Sequence, residues 1–335
     1  MEAVVIFNRI GDNVNITNAE MEQCWRAIYN IPELTKIRFE SIPDSSFASY
    51  DAIVGDADIL MGAWITKDNF RNALFERHPN LKYAATLSHG FEEFDFEFTR
   101  SRGVTITNTI YGDVTIAEFA AALLFDICHD VRFNSDWLKS ADFSDPNTRY
   151  WGDTCTRQIE LFGKTAGIIG LGNIGFHMAE ICRGLGMKVI SHTPHKKVGE
   201  KYGFVEQVEL DELLRRADVI SLHCPLNSAT QRMIDRDAIA KMKDGVILIN
   251  TARGALIDEK ALYGALESRH VYAAGLDVLE HEPPKSDDML LRSPYTKVTA
   301  HIAWVPRESR LRAVDLALEN LKNWLHGSPT SVING

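Results

Sequence analysis

The sequence has no CxxC pair, and its five cysteines (Cys24, Cys128, Cys155, Cys182, Cys224) are odd in number and scattered. That argues against a disulfide framework, a zinc site or a redox dithiol, so no metal and a reducing cytoplasmic location are expected. Basic charge is not in excess either: a net charge of -10 predicts repulsion from nucleic acid and from anionic membrane surfaces. Low-complexity tracts are absent. So is any long uninterrupted apolar run. The nearest approach to one, "VTIAEFAAALLFDICHDV" at 114–131, is broken by Glu118, Asp126, His129 and Asp130, which makes a bilayer helix costly and a buried helix the better reading. The opening "MEAVVIFNRI" has an acid at position 2 and too short an apolar run for a signal peptide, and reads as a first strand. Small molecules are left as the expected partners.

What is present is the pattern of an α/β protein. A chain of 335 residues with 45% hydrophobic content has room for two domains with proper cores. From Gly163 onward, apolar β-rich runs alternate with helical segments: "TAGIIG" (165–170), "MKVIS" (187–191), "DVISLHC" (218–224), "GVILIN" (245–250), "YAAGLDV" (272–278) and "KVTA" (297–300). Such runs predict a doubly wound parallel sheet covered on both faces. A looser alternation in the first hundred residues ("AVVIF", "DAIVGDADILMG", "LKYAATLSHG") predicts a second, smaller, flavodoxin-like domain. The expected organisation is thus two Rossmann-like domains, one of residues 1–107 plus 305–335 for substrate and one of 108–304 for a dinucleotide. The amphipathic tail, about 307–324, returns to the first domain. Thr115 followed by Glu118 reads as a capping box and puts a helix start there. A helix so rich in Ala and Leu is expected to be covered between domains or by a second subunit. The least ordered-looking connection is 142–154.

The sharpest motif is "GIIGLGNIG", with Gly170, Gly172 and Gly175 at G-x-G-x-x-G spacing and Asn173 and Ile174 between them. Three glycines alone can be turn residues. An apolar strand before them and the amphipathic "FHMAEICRGLG" after them supply the context of a dinucleotide fingerprint, whose pyrophosphate rests on a helix N-terminus. Later strands bring further chemistry to their carboxyl ends, where an open α/β sheet builds its ligand crevice. Thr251, Ala252 and Arg253 follow one, Asp277 and Glu282 another, and His301 the last. Singly these are a surface cation, a turn cap, a loop acid and a core histidine. Clustered at that edge they read as a site.

"GIIGLGNIG", "LHCPLNSATQRMID", "MKDGVILINTARGALIDEKALYGAL", "AAGLDVLEHEP" and "VTAHIAW" together resemble the D-isomer-specific 2-hydroxyacid dehydrogenases, from about Leu87 to the C-terminus. "YWGD" (150–153), "HIAWVPRESR" (301–310) and "SVIN" are most similar to the glycerate dehydrogenase (hydroxypyruvate reductase) branch. The resemblance implies a nicotinamide-dependent oxidoreductase that reduces a small 2-oxo acid, with Arg253, Glu282 and His301 as catalytic residues. Arg253 would hold the carboxylate and polarise the ketone. His301 would donate the proton, its imidazolium favoured by Glu282. The backbone of "LSHGFEEFD", at Ser88, His89 and Gly90, matches the family's carboxylate-binding loop, and Trp304 its pocket wall. Asp277 matches the acid that accepts from the nicotinamide carboxamide; Cys224 and Pro225 match the stretch beside the cofactor ribose. The family also implies a homodimer.

Two departures stand out. Ala300 replaces the proline usual before the histidine, which is expected to loosen the backbone there. In "KVISHTPHKK", Thr193 stands where NAD-preferring members carry Asp. With no acid to accept from a ribose 2′-hydroxyl, and with His192, His195, Lys196 and Lys197 around, NADP is favoured and NAD remains possible. The same motifs leave two rivals: a dinucleotide-sensing regulator like the C-terminal binding protein corepressors, and a formate dehydrogenase-like enzyme, a branch that carries Gln in place of Glu282.

Overall fold

The computed structural model describes residues 1–8, 12–90, 95–145, 148 and 156–335. Cys155, the "YWGD" stretch and residues 91–94 of "LSHGFEEFD" lie outside the described residues. Chain contacts divide the molecule into two compact units, residues 1–112 with 304–335, and residues 113–303.

The first unit holds five parallel strands: β1 (Glu2–Ile6), β2 (Lys36–Glu40), β3 (Ile59–Ala63), β4 (Tyr83–Thr86) and β5 (Thr105–Thr107). Their spatial order, β2-β1-β3-β4-β5, is that of flavodoxin-like folds. Helix Arg307–Leu325 buries Ala313, Val314, Ala317, Leu318 and Leu321 in the core on one face of this sheet, with Val5, Met61 and Tyr83.

The second unit has seven strands: β6 (Thr165–Ile169), β7 (Lys188–His192), β8 (Val205–Gln207), β9 (Val219–Leu222), β10 (Val246–Asn250), β11 (Val271–Leu276) and β12 (Thr296–Val298). They lie in the order β12-β11-β10-β9-β6-β7-β8, all parallel. The chain starts at β6, winds outward to β8, then returns to the other side of β6 at β9. This reversal is the topological switch point at which such sheets bind ligands. Two apolar cores, one around Leu213, Ile220 and Leu248 and one around Leu124, Ile168 and Met178, cover the two faces. β8 is the strand that the apolar runs do not announce. It is a three-residue edge strand in which only Val205 is buried, so neither length nor periodicity marks it.

Helix Asp113–His129 begins two residues before the expected capping box, and Thr115 is a buried residue inside its first turn. An acid at Asp113 suits that end, where the helix dipole is positive. Seven of its nine buried residues pack in a core of its own unit, and the helix lies against β10, β11 and helix Asn173–Gly184. Gly275 permits the approach, since a Cβ there would lie 2.9 Å from Leu123 Cβ. No helix among the described residues is long and apolar enough to cross a membrane.

Candidate functional site

The turn from β6 into helix Asn173–Gly184 has the shape the glycine spacing requires. Gly170 has φ +94°, and a Cβ there would press to 2.7 Å on the backbone of His223 and Cys224. A Cβ on Gly175 would lie 2.0 Å from the Gly170 carbonyl oxygen, whereas one on Gly172 would meet nothing within 4 Å. The helix thus starts tight against its strand with an open approach at Gly172. Gly172 is the N-cap and supplies no side-chain acceptor, so the first N–H groups, from Asn173 and Ile174 onward, are left for a ligand. Nearby, Thr251 follows β10 with a buried hydroxyl that has no hydrogen-bond partner among the described residues. A wide-approach glycine, an uncapped 12-residue helix and an orphaned hydroxyl fit a dinucleotide.

On the outer side of β6, His192 ends β7 and is partly buried, as is Thr193, while His195 and Lys196 are exposed. This basic loop is pinned by a residue that the sequence reading missed: the Gln207 amide accepts from the Lys197 N–H (2.7 Å) and donates to its carbonyl (2.7 Å). On the other side, Cys224 and Pro225 follow β9. Burial pushes the Cys224 thiol up to about 11, so it is no thiolate, and its Sγ lies 3.7 Å from Met233 Sδ. His223 beside it is driven down to about 3 by burial and stays neutral, with Nε2 2.8 Å from Ser221 Oγ.

Arg253, Glu282 and His301 come together beyond β10, β11 and β12. Asn250, buried at the end of β10, folds the first loop. Its amide donates to the Arg253 carbonyl (2.9 Å) and accepts from the Ala252 N–H (3.0 Å). The second loop then passes very close, because a Cβ on Gly254 would lie 1.9 Å from the Leu279 carbonyl carbon. Glu282 is fixed there by the Leu279 N–H on Oε1 (3.0 Å) and faces His301 Nδ1 with Oε2 (2.8 Å). Partial burial works against its ionisation. The hydrogen bonds from His301 and Leu279, with the charges of His301 and Arg253, outweigh burial and hold its carboxyl below the ordinary value. An ionised carboxylate only accepts, so Nδ1 carries its hydrogen and Nε2 is the nitrogen left to exchange a proton with a substrate.

His301 itself is a non-glycine residue at φ +54°. Such backbone persists only where its surroundings over-determine it. Here Asp277 does so. Its carbonyl accepts from the His301 N–H (2.8 Å), its Oδ1 from Thr299 Oγ1 (2.6 Å) and the Ile302 N–H (2.8 Å), and its Oδ2 from the Ala303 N–H (2.8 Å). Ala300 is exposed, and the segment around it is tied down by this buried carboxylate rather than by a proline ring.

The remaining candidates belong to the first unit. Ser88 and His89 follow β4; Ser88 Oγ is 2.8 Å from Thr86 Oγ1, and the His89 carbonyl accepts from Asn108 (2.8 Å). Trp304 packs on Trp64 with ring centroids 5.7 Å apart, and the buried Arg310 guanidinium sits over it at 4.9 Å.

A strand-turn-helix fingerprint and an Arg, Glu, His cluster on one sheet edge invite comparison with known proteins. The family model described as D-isomer specific 2-hydroxyacid dehydrogenase, NAD binding domain, matches residues 121–303. A hydroxypyruvate reductase of Blautia hydrogenotrophica is 41% identical over 283 residues, 84% of this chain and 86% of that one. A glyoxylate reductase from Paecilomyes thermophila has the same fold, with a TM-score of 0.80 and 29% identity over 99% of this chain and 98% of its own. An acyclic imino acid reductase solved in complex with NADPH and D-Arg has a TM-score of 0.79 and 26% identity, covering 99% and 100% of the two chains. With more than half its length inside the family model and its architecture shared end to end, the chain belongs to the D-isomer-specific 2-hydroxyacid dehydrogenases.

Proposed function

We propose that this oxidoreductase of 2-hydroxy acids reduces a small 2-oxo acid of the hydroxypyruvate or glyoxylate type, using NADP in preference to NAD. The observation that carries the reading is the 2.8 Å contact of His301 Nδ1 with Glu282 Oε2 beside Arg253 on the fingerprint's own sheet edge. A reduced nicotinamide dinucleotide, when bound, supplies the hydride. Arg253 binds the substrate carboxylate and polarises the adjacent ketone. His301 gives the Nε2 proton to the oxygen as negative charge develops there, and Glu282 orients the ring and balances the imidazolium. In the oxidative direction the same nitrogen is the base.

For the cofactor we assign Gly170, Gly172, Asn173, Ile174 and Gly175 to the pyrophosphate and His192, Thr193 and Lys196 to the adenosine ribose. Cys224, Pro225, Thr251, Ala252 and Asp277 line the remainder, Asp277 with the one acceptor position its network leaves on Oδ2. Ser88, His89, Gly90 and Trp304 are assigned to the substrate by resemblance, and with them the substrate role of residues 1–107 and 305–335. NADP is supported by Thr193 standing where an acid would repel a 2′-phosphate, and by the cations of the Gln207-pinned loop. A homodimer is supported by helix Val131–Ser140, which buries none of its residues and exposes Val131, Phe133 and Leu138. The chain's acidic balance and cysteine usage support a cytoplasmic site.

The test is oxidation of NADPH and NADH by purified protein with hydroxypyruvate, glyoxylate, pyruvate and phenylpyruvate. Turnover confined to pyruvate and phenylpyruvate, the two acids with apolar tails, overturns the substrate class, and a higher kcat/KM with NADH overturns the cofactor preference. Light scattering at micromolar concentration decides the dimer.

A further inference from the structure

We infer that His192 reads the adenosine 2′ position through its protonation state: the neutral ring suits a 2′-hydroxyl and the cationic ring suits a 2′-phosphate. This rests on the reading above that the end of β7 receives the adenosine ribose. His192 Nδ1 lies 3.2 Å from the carbonyl oxygen of Val208. A carbonyl only accepts, so Nδ1 carries a hydrogen in either protonation state. A neutral imidazole has just one, and Nε2 is then a bare acceptor. It can take a hydrogen bond from a hydroxyl but opposes its lone pair to a phosphate oxygen. One added proton turns the same atom into a charged donor, the kind that binds phosphate strongly. A carboxylate at this place is an acceptor only and an ammonium a donor only. His192 with a pinned Nδ1 is either one, according to whether Nε2 holds a proton.

Several of its charged neighbours are held in ion pairs. Strand alternation puts His192 on the Ile190 face of β7, towards helix Leu210–Arg216. On that helix Asp211 is bound to Lys241 (2.8 Å) and lies 3.9 Å from Arg215, while Glu212 is bound to Arg216 (2.6 Å). Glu206 on β8 is bound to the same Arg216 (2.6 Å), and Glu209 follows it in the chain. Those partnerships hold Asp211 and Glu206 below the usual carboxylate values. Beyond the strand end lie His195, Lys196 and Lys197.

The experiment is calorimetric binding of 2′,5′-ADP and 5′-AMP, probes without a nicotinamide, to the full chain between pH 6 and pH 8.5. The wild type, His192→Gln, His192→Asn and His195→Gln are compared, and 15N NMR of His192 reads the tautomer. The preference for 2′,5′-ADP is expected to fall by about tenfold or more as pH rises, the size of one charged hydrogen bond. The opposing second ionisation of the 2′-phosphate, near pH 6, is common to all variants. The fall should vanish in His192→Gln and His192→Asn, of which Asn can still donate to Val208, and persist in His195→Gln. At high pH the NMR signal should be that of the Nδ1–H tautomer. A pH-independent preference for 2′,5′-ADP overturns the role of His192 and leaves NADP use intact. A preference for 5′-AMP at every pH that still weakens on acidification through His192 overturns NADP use and leaves the role intact. No binding of 2′,5′-ADP at any pH, or loss of the effect in His195→Gln, overturns the inference.

Discussion

The two ends of one ligand-binding sheet edge are built by different means. At β6 the backbone does the shaping: Gly170 at positive φ, Gly175 within 2.0 Å of a carbonyl for any added Cβ, and an uncapped helix start. At β10 to β12 side chains do it. Asn250 folds one loop, the Leu279 N–H fixes Glu282, and a single buried carboxylate, Asp277, holds His301 in a left-handed backbone. The difference fits what each end would hold under the proposed function. A pyrophosphate is an extended anion that needs close, bare backbone N–H groups, whereas proton transfer needs one nitrogen aimed to within a fraction of an ångström. The first end is sensitive to an atom added at Gly170 or Gly175, and the second to a lost hydrogen bond.

That contrast can be broken experimentally. The largest effect is expected from His301→Ala, which should lower kcat for reduction by about a hundred- to ten-thousandfold while leaving dinucleotide affinity unchanged. In the wild type, kcat/KM for reduction should fall as pH rises, because Nε2 must carry the proton it gives; the oxidative direction should show the opposite slope. Near-normal turnover in this variant would sink the mechanism. Gly175→Ala should act at the other end, weakening dinucleotide binding by about tenfold or more and lowering stability by about 1–3 kcal/mol, since the Gly170 carbonyl has to move. Thermal unfolding with and without cofactor measures both, and an unchanged affinity would show that the backbone shape is not what binds.

Asp277→Asn keeps volume but sets an amide N–H against the donors of Ile302, Ala303 or Thr299. Stability should fall by about 1–3 kcal/mol and kcat by about tenfold, through a displaced His301. Equal losses in kcat and in binding of a nicotinamide-free dinucleotide fragment would mean that the two ends are one unit after all. The smallest effect is expected at Ser191, fully buried in β7 with a hydroxyl that has no partner among the described residues. Ser191→Ala should be neutral or stabilising by about 0.5 kcal/mol, and a loss above 1 kcal/mol by chemical denaturation would reveal a hydrogen bond not accounted for.

The glycine-marked end was legible because backbone constraints are written locally: only glycine fits at φ +94° or within 2.0 Å of a carbonyl, and the spacing survives in one dimension. The parallel sheet was legible for the same kind of reason, since strands buried on both faces must be apolar throughout. The types and strand-end positions of Arg253, Glu282 and His301 could also be read, though not their distances. What only the tertiary structure decided was the set of polar partners drawn from distant segments. Asp277 was legible as an acceptor at a strand end, but not as the group that also takes hydrogen bonds from Thr299, Ile302 and Ala303. Gln207 lay on an edge strand too short and too polar to show, and Gly254 had no motif to announce that residue 279 passes within contact of it. Helix Asp113–His129 likewise declared its apolar residues, but not that its own sheet would cover them. Hydrophobic period and glycine spacing are properties of neighbours in the chain, whereas a hydrogen bond across 20 or more residues is specified by where the fold brings the two ends, and no single segment carries that information.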